Sequence, residues 1–399
     1  MKRRNTLHPA PEERKLRVRD RMMILSRKDR MGRLKPTWYR VLAACVLLTL
    51  ALILISGSRR DALRNRNVQA EPLIHGTVRL SFTGDLDLCG NVATLGEDEG
   101  WETLFSGVSP LWKDSSWVFS CLDGVVLPEG AEGCEPLETA KNPAAISEDA
   151  LKALAKAGIN ALSLANDHSL DYGSAGLGRS ISYVDGLGLC FAGAGENLPA
   201  AGMYRVLEAE GLRIGFLACS AINPNGRGPI DDYTVTTTAY SALYRNVLLA
   251  SDETDLVVVY VCWGDQDGLA VSDAQRRVAH QLIQSGADVV IGTHPHVLQP
   301  VEQYRDGWIF YSLGDLVSGR EQRGERESVL LRLDVDAETR AASFTLIPLL
   351  LEDFCPTATE NGFYVSQIHQ SLLRELPESS YSVADDGRIT IPLTIGSVS

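Results

Sequence analysis

The stretch GADVVIGTHPHVLQPVEQYRDGWIFYSLGDLV (286–317) decides the fold of this chain. It holds two short apolar runs, Asp288–Ile291 and Trp308–Ser312. Both are too short for helices and rich in β-branched or aromatic residues, so each reads as a buried strand. The first run follows a helical pattern over Asp273–Gln284. Ser272 opens that helix with Gln275 three residues on, a capping box, and Gly286 closes it. Helix, glycine, strand, loop and strand in succession indicate βαβ construction.

Working outward, the same alternation recurs. Upstream strands are expected at Val78–Phe82, Trp117–Leu122, Ile159–Leu164, Leu189–Ala192, Leu212–Ala218 and Leu256–Val261. Helices are expected at Glu148–Ala157 behind Ser147 and at Ala175–Leu187 behind Ser174, closing on Gly158 and Gly188. Downstream lie two more strand patterns, Val329–Val335 and Ala342–Leu351, and a helix near Gly362–Glu375. No internal repeat interrupts the order. The pattern predicts an α/β class and one domain over 77–395 on a largely parallel, buried sheet.

The residues that follow the strands carry the chemistry. VRLSFTG leads to Asp85 and Asp87, WVFSCL to Asp123, INALSLA to Asn166, Asp167 and His168. LVVVYV leads to Cys262, Trp263, Gly264 and Asp265, ADVVIGT to His294 and His296, and WIFYSLG to Asp315. In an open α/β sheet the carboxyl ends of parallel strands form one edge, where ligands bind. Three of the seven histidines fall there. Pro295 places two imidazoles on one short loop and biases His294 toward an extended backbone. Imidazole and carboxylate together suit Zn, Mn or Fe, and two such ions about 3.5–4 Å apart can clamp a displacement reaction. Taken singly, Asp315 and Asp87 read as turn formers or helix caps. His280 within a helix and His75 before the domain read as ordinary surface or core residues.

Charge divides the chain. The net charge is −13, yet residues 1–40 hold fourteen Lys/Arg against four acids, a net of +10 that leaves −23 for the rest. An acidic body excludes a nucleic-acid partner. Behind the basic segment Val41–Ile55 reads VLAACVLLTLALILI, with no charge. With Trp38, Tyr39 and Ser56–Ser58 it just reaches the ~20 residues that span a bilayer. The division expected is a basic cytoplasmic segment (1–37), a signal-anchor helix (38–58), a polar linker (59–76) and the extracellular domain, at the cell membrane with a single pass. A cleaved signal peptide is the competing reading. It fits less well, because its apolar region is shorter, its basic region is not 40 residues long and no A-x-A site follows at once. Seven of the eight cysteines lie outside the span, an odd number without zinc-type spacing, and Cys121 and Cys134 flank a Gly/Glu/Pro-rich loop where they could pair.

The segments TGDLDLCGNV (83–92), LSLANDHSLDYGSAGL (162–177), FAGAGEN (191–197), VYVCWGDQ (259–266) and the 286–317 run resemble the CapA family of poly-γ-glutamate capsule synthesis. The domain of that family is similar to calcineurin-like metallophosphatases. The resemblance implies a four-layer α/β/β/α sandwich and a role in synthesis, release or anchoring of anionic polymer, with capsule-synthesis membrane proteins as partners. It implies one or two divalent ions held by Asp85, Asp123, Asp167, Cys262, His294 and His296, with His168 and Asp167 catalytic in a metal-dependent hydrolase. Asp85, His168, His294 and His296 match the family pattern outright. Asp123 stands for a glutamate, Asp167 for an asparagine, Cys262 for a histidine, Gln266 for a glutamate and Asp315 for an asparagine. A sulfur donor at 262 softens the site toward zinc. The loss of a carboxylate at 266 leaves open a non-catalytic, polymer-binding or assembly role.

Overall fold

The computed structural model describes residues 76–128, 130–222, 232–320 and 324–394. The expected basic segment, membrane span and nearly all of the linker lie outside the described residues. Among those described, no helix is long and apolar enough to cross a membrane.

Apart from two small sheets of two-residue strands, the strands of the first half are, in chain order, β1 (Thr77–Leu86), β2 (Trp117–Leu122), β3 (Ala161–Ser163), β4 (Cys190–Ala192), β5 (Arg205–Ala209) and β6 (Leu212–Ser220). Those of the second half are β7 (Leu256–Cys262), β8 (Val289–Thr293), β9 (Leu298–Tyr304), β10 (Gly307–Leu313), β11 (Asp315–Val317), β12 (Glu327–Asp336), β13 (Ala341–Glu352), β14 (Cys355–Ala358), β15 (Ser382–Val383) and β16 (Ile389–Thr394). The longer helices are α1 (Gly90–Glu99), α2 (Glu148–Lys156), α3 (Gly173–Gly186), α4 (Ser241–Glu253), α5 (Asp273–Gln284) and α6 (Gly362–Leu373).

Strand β7 shows how the layers arise. All seven of its residues are buried. Successive side chains of a strand point to opposite faces. Val257, Val259 and Val261 accordingly pack with Val247 and Ala250 of α4 and Ala279 and Leu282 of α5. Leu256, Val258 and Tyr260 point the other way, into the large core with Phe82, Phe119 and Phe216. A strand apolar on both faces thus sits between a helical layer and a second sheet.

The two sheets run β15-β16-β13-β12-β1-β2-β3-β4 and β9-β10-β8-β7-β6-β5. They meet through aromatic side chains. Phe82 stacks on Phe119 with centroids 4.9 Å apart, and Phe119 meets Phe216 edge-on at 5.1 Å. Tyr260 crosses from the second sheet to donate its hydroxyl to the Thr83 carbonyl at 3.0 Å. Helices α2 and α3 bury Leu151, Leu154, Leu177 and Val184 in the cluster that holds the first sheet. The α/β class holds, and the sheets are mixed where a largely parallel sheet was expected: β1–β4 are parallel, as are β6, β7, β8 and β10. The flanks β12, β13, β16, β5 and β9 are antiparallel.

Local signals hold with small shifts. The Ser272–Gln275 capping box forms, and Ser147 accepts from the Ala150 N–H. Ser174 does not cap: α3 starts at Gly173 without a side-chain cap. Cys121 and Cys134 are not paired. Cys121 belongs to the large core and Cys134 to a small cluster with Val125 and Leu127, and neither forms a disulfide.

Candidate metal centre

The parallel strands of both sheets deliver their carboxyl ends to one place. Asp85 lies at the end of β1, Asp123 just after β2, and Asp167 and His168 after β3. Cys262 ends β7, His294 and His296 follow β8, and Asp315 follows β10. Asp85 is paired in register with Asp315. Gly84 makes this approach possible, because a Cβ built there would lie 1.7 Å from the Gly314 carbonyl oxygen. Only a glycine admits the neighbouring backbone so closely.

Three sets of donor atoms result, each mutually within 4.8 Å. The first is Asp85, His296 and Asp315, all buried. His296 Nδ1 is 2.8 Å from Asp315 Oδ1, and Asp85 Oδ2 accepts from the His294 N–H at 2.8 Å. The other two share Asp167, being Asp167/Cys262/His294 and Asp123/Asp167/His168. Asp167 Oδ1 is 3.1 Å from His294 Nδ1 and 3.8 Å from Cys262 Sγ, while its Oδ2 is 3.6 Å from His168 Nε2. All six metal-ligand candidates and both catalytic candidates from the sequence are brought together.

Backbone conformation is sacrificed to this geometry. His294 has φ +86° and His296 φ +59°, in the region that L residues rarely adopt. His294 is thus not simply extended, as the proline had suggested. Its N–H is committed to Asp85 and its ring to Asp167, and these contacts hold the strained conformation.

Sequence reading missed two participants. Asp315, taken singly as a turn former, is fully buried and paired to His296. Asp171 Oδ2 lies 2.6 Å from His168 Nδ1 and also accepts from the Ala144 N–H at 3.1 Å, so it fixes the imidazole. The signal for Asp171 was its place three residues after His168 on one turn. Asp87 does act as a turn former, accepting from the Cys89 N–H at 3.1 Å. Asp265 and Gln266 are exposed. His280 stays outside the site, stacked 3.6 Å from the Tyr304 ring and 2.8 Å from Glu302.

Crowding carboxylates in a dry site has an electrostatic consequence. Burial, with Asp315 adding, raises Asp85 to about 7, and burial with the charges of Asp167 and Asp85 raises Asp123 to about 8. Burial works to lower His296 and His168. Asp315 beside the first outweighs it to give about 10, and Asp171 with Asp123 and Asp167 beside the second gives about 9. Burial works to raise Asp167, but the hydrogen bond and charge of His294 hold it well below the usual carboxylate range. Burial pushes the Cys262 thiol far up.

These shifts predict the pH dependence of stability in chelator. Between about pH 4 and 8 the folded protein keeps protons on Asp85 and Asp123 that the unfolded chain has released, so stability falls as pH rises. The two raised histidines stabilise fully below their ordinary 6.5 and lose that contribution toward about 9 and 10. Asp167 contributes constantly above about pH 4. Thermal melts in EDTA should therefore show Tm highest near pH 5 and declining steadily to pH 9. A flat or rising profile would refute the electrostatics.

The residues present fit a cation. Asp315 Oδ2 is buried without any hydrogen-bond partner, although the opposite oxygen is engaged by His296. Such an orphaned carboxylate oxygen is costly unless a positive group meets it. Carboxylate, imidazole and thiol donors on all sides make the chemistry that of a borderline divalent metal.

The chain is similar to known proteins. It is 25% identical over 388 residues to the capsule biosynthesis protein CapA of Bacillus anthracis, covering 95% of this chain and 92% of that one. It is 26% identical over 321 residues to the PGA biosynthesis protein CapA of Bacillus subtilis strain 168, covering 78% and 82%. Among solved structures it is similar to the 5'-nucleotidase of Candida albicans SC5314, at 11% identity and TM-score 0.38 over 68% of this chain and 54% of that one. Residues 79–320, which contain β8, β10 and every candidate ligand, match the family described as bacterial capsule synthesis protein PGA_cap, and the chain belongs to that family.

Proposed function

We propose that this chain is a cell-envelope protein acting in the synthesis, release or anchoring of a poly-γ-glutamate-type capsular polymer, and that its centre is a metal-dependent hydrolase site. Family membership and the names of its CapA relatives support the polymer. The observation that carries the chemistry is the convergence of three donor sets, two of them sharing Asp167, together with the partnerless Asp315 Oδ2 of the third. The fold is read as a metallophosphatase-type four-layer sandwich. The N-terminal charge pattern supports a single-pass anchor with the domain outside the cell, beside the capsule-synthesis membrane proteins it would serve.

Asp85, His296 and Asp315 would hold one ion, and Asp123, Asp167, Cys262 and His294 a second, with Zn, Mn or Fe suited to the donors. A bound ion would supply Lewis acidity at the scissile phosphoester or amide bond. Proton transfer falls to the chain itself. Asp171 grips His168 at Nδ1 and leaves Nε2 facing the centre, where its raised pKa keeps a proton at neutral pH for a leaving group. The buried His296–Asp315 pair fixes one imidazole, and Asp167 orients another by its bond to His294.

Full-length protein purified in detergent should contain stoichiometric transition metal. Cells whose only copy carries Asp85→Ala, Asp167→Ala and His294→Ala together should lose metal-dependent polymer processing. Normal polymer amount and chain length with a folded triple variant would overturn catalysis and favour an assembly role. The buried, protonated Cys262 thiol and the exposed Gln266, both departures from the family pattern, are what favour that second reading.

A further inference from the structure

A separate pocket opens where α6 bridges the two sheets, packed across β9 of one and β12 of the other. Its volume is about 370 Å³, and it is lined by Leu269, Leu298, Glu327, Gln367, Gln370 and Ser371 among others. Glu327 is only 5% exposed, yet its Oε2 has no hydrogen-bond partner. Gln367 Nε2, on the facing helix, is also buried without a partner. Two of the few orphaned buried polar atoms among the described residues thus line one cavity, one a carboxylate acceptor and the other an amide donor. Leaving both unmet costs stability, as expected of groups retained for a ligand.

We propose that this pocket binds an α-amino-acid head group, with a primary ammonium on Glu327 and the neighbouring carboxylate on Gln367. The lone buried carboxylate calls for a cation that donates hydrogen bonds, and an ammonium supplies both. The amide donor calls for an acceptor close by, which the carboxylate on the same carbon provides. Leu269 and Leu298 then cover the aliphatic part of the side chain. The volume accommodates one or two residues of a chain rather than a polymer segment. The pocket adjoins the centre described above. Leu298 stands two residues after His296, and a Cβ on Gly314, next to Asp315, would meet the Glu327 carbonyl at 2.8 Å. A γ-linked glutamate chain carries a free ammonium and carboxylate on its amino-terminal residue, so the pocket would seat the end of the polymer; this identification of the chain, though not the head-group chemistry, rests on the function proposed above.

Calorimetry of the full-length protein in EDTA, which removes the metal question, tests it with γ-glutamyl-glutamate, its N-acetyl derivative and α-glutamyl-glutamate. The γ-linked dipeptide should bind, and acetylation of its amine should weaken it roughly tenfold or more, the scale of one charge-assisted hydrogen bond. Glu327→Gln and Gln367→Leu should weaken it similarly. Glu327→Gln should leave Tm unchanged or raised, since Oε2 has no hydrogen bond in the free protein to lose; a purely structural glutamate would lower it. No binding of either dipeptide, equal affinity for the acetylated form, or indifference to Glu327→Gln would overturn the pocket. Glu327-dependent binding of the α-linked dipeptide alone, whose ammonium-bearing carbon carries no free carboxylate, would overturn the head-group assignment and with it the γ-linked chain.

Discussion

Replacing His296 with alanine is expected to weaken divalent-metal binding by about a hundredfold or more and to destabilise the metal-free protein by about 3 kcal/mol. The two effects have different origins. The imidazole is one of three buried donors in its set, and losing it leaves Asp85 and Asp315 alone. It is also the sole side chain hydrogen-bonded to Asp315 in the pairs described, at 2.8 Å. Without it, a fully buried carboxylate has neither oxygen partnered. Removing one member of a buried ion pair is costly because the other remains desolvated. Zinc titration followed by urea unfolding in EDTA separates the terms. If His296→Ala unfolds like the parent protein in EDTA, the pair does not carry the weight assigned to it here.

The second large effect concerns a residue with no side chain. Gly84→Ala should destabilise the fold by about 3 kcal/mol or more, the upper range of overpacking in a closed core. The added carbon would fall 1.7 Å from the Gly314 oxygen and 2.8 Å from its carbonyl carbon, and backbone cannot rotate aside as a side-chain end can. Strands β1 and β10–β11 would have to part, taking Asp85 away from Asp315. Circular dichroism melts would report the loss of stability, and any folded fraction should bind metal poorly. A variant melting within a degree of the parent would contradict the close approach. Gly186→Ala, in α3, serves as a control, since a Cβ there meets nothing within 4 Å and the backbone has no positive φ.

Much of this could be read in the residues beforehand, and the reasons are local. LVVVYVC is apolar on both faces, which only a strand between two layers requires. The capping box at Ser272 fixes the start of α5. The site was legible because donors at the ends of parallel strands converge by topology alone. Asp315 was not, since a lone aspartate after a strand looks the same whether it caps a turn or pairs with a histidine nineteen residues away in sequence. The antiparallel edge β9 was hidden by Pro300 and by its polar alternation, which suit an edge strand but mimic a loop. Its hairpin signal was present in Arg305–Asp306 before Gly307, the two-residue turn between paired Tyr304 and Gly307.

The division of the donors between the two sheets has one more consequence. Asp85, Asp123, Asp167 and His168 come from the first half of the chain, and Cys262, His294, His296 and Asp315 from the second. Asp167 meets His294 across 127 positions, and Asp85 accepts from His294 across 209. A chain interrupted after β6 keeps Asp85, Asp123, Asp167 and His168 but lacks Cys262, His294, His296 and Asp315, and one lacking residues 76–168 has the reverse. Two of the three donor sets therefore work as a logical conjunction, each drawing on both halves. Neither set is whole until β7 to β11 have docked against β1 to β3, so an ion held there would report that the two halves have met.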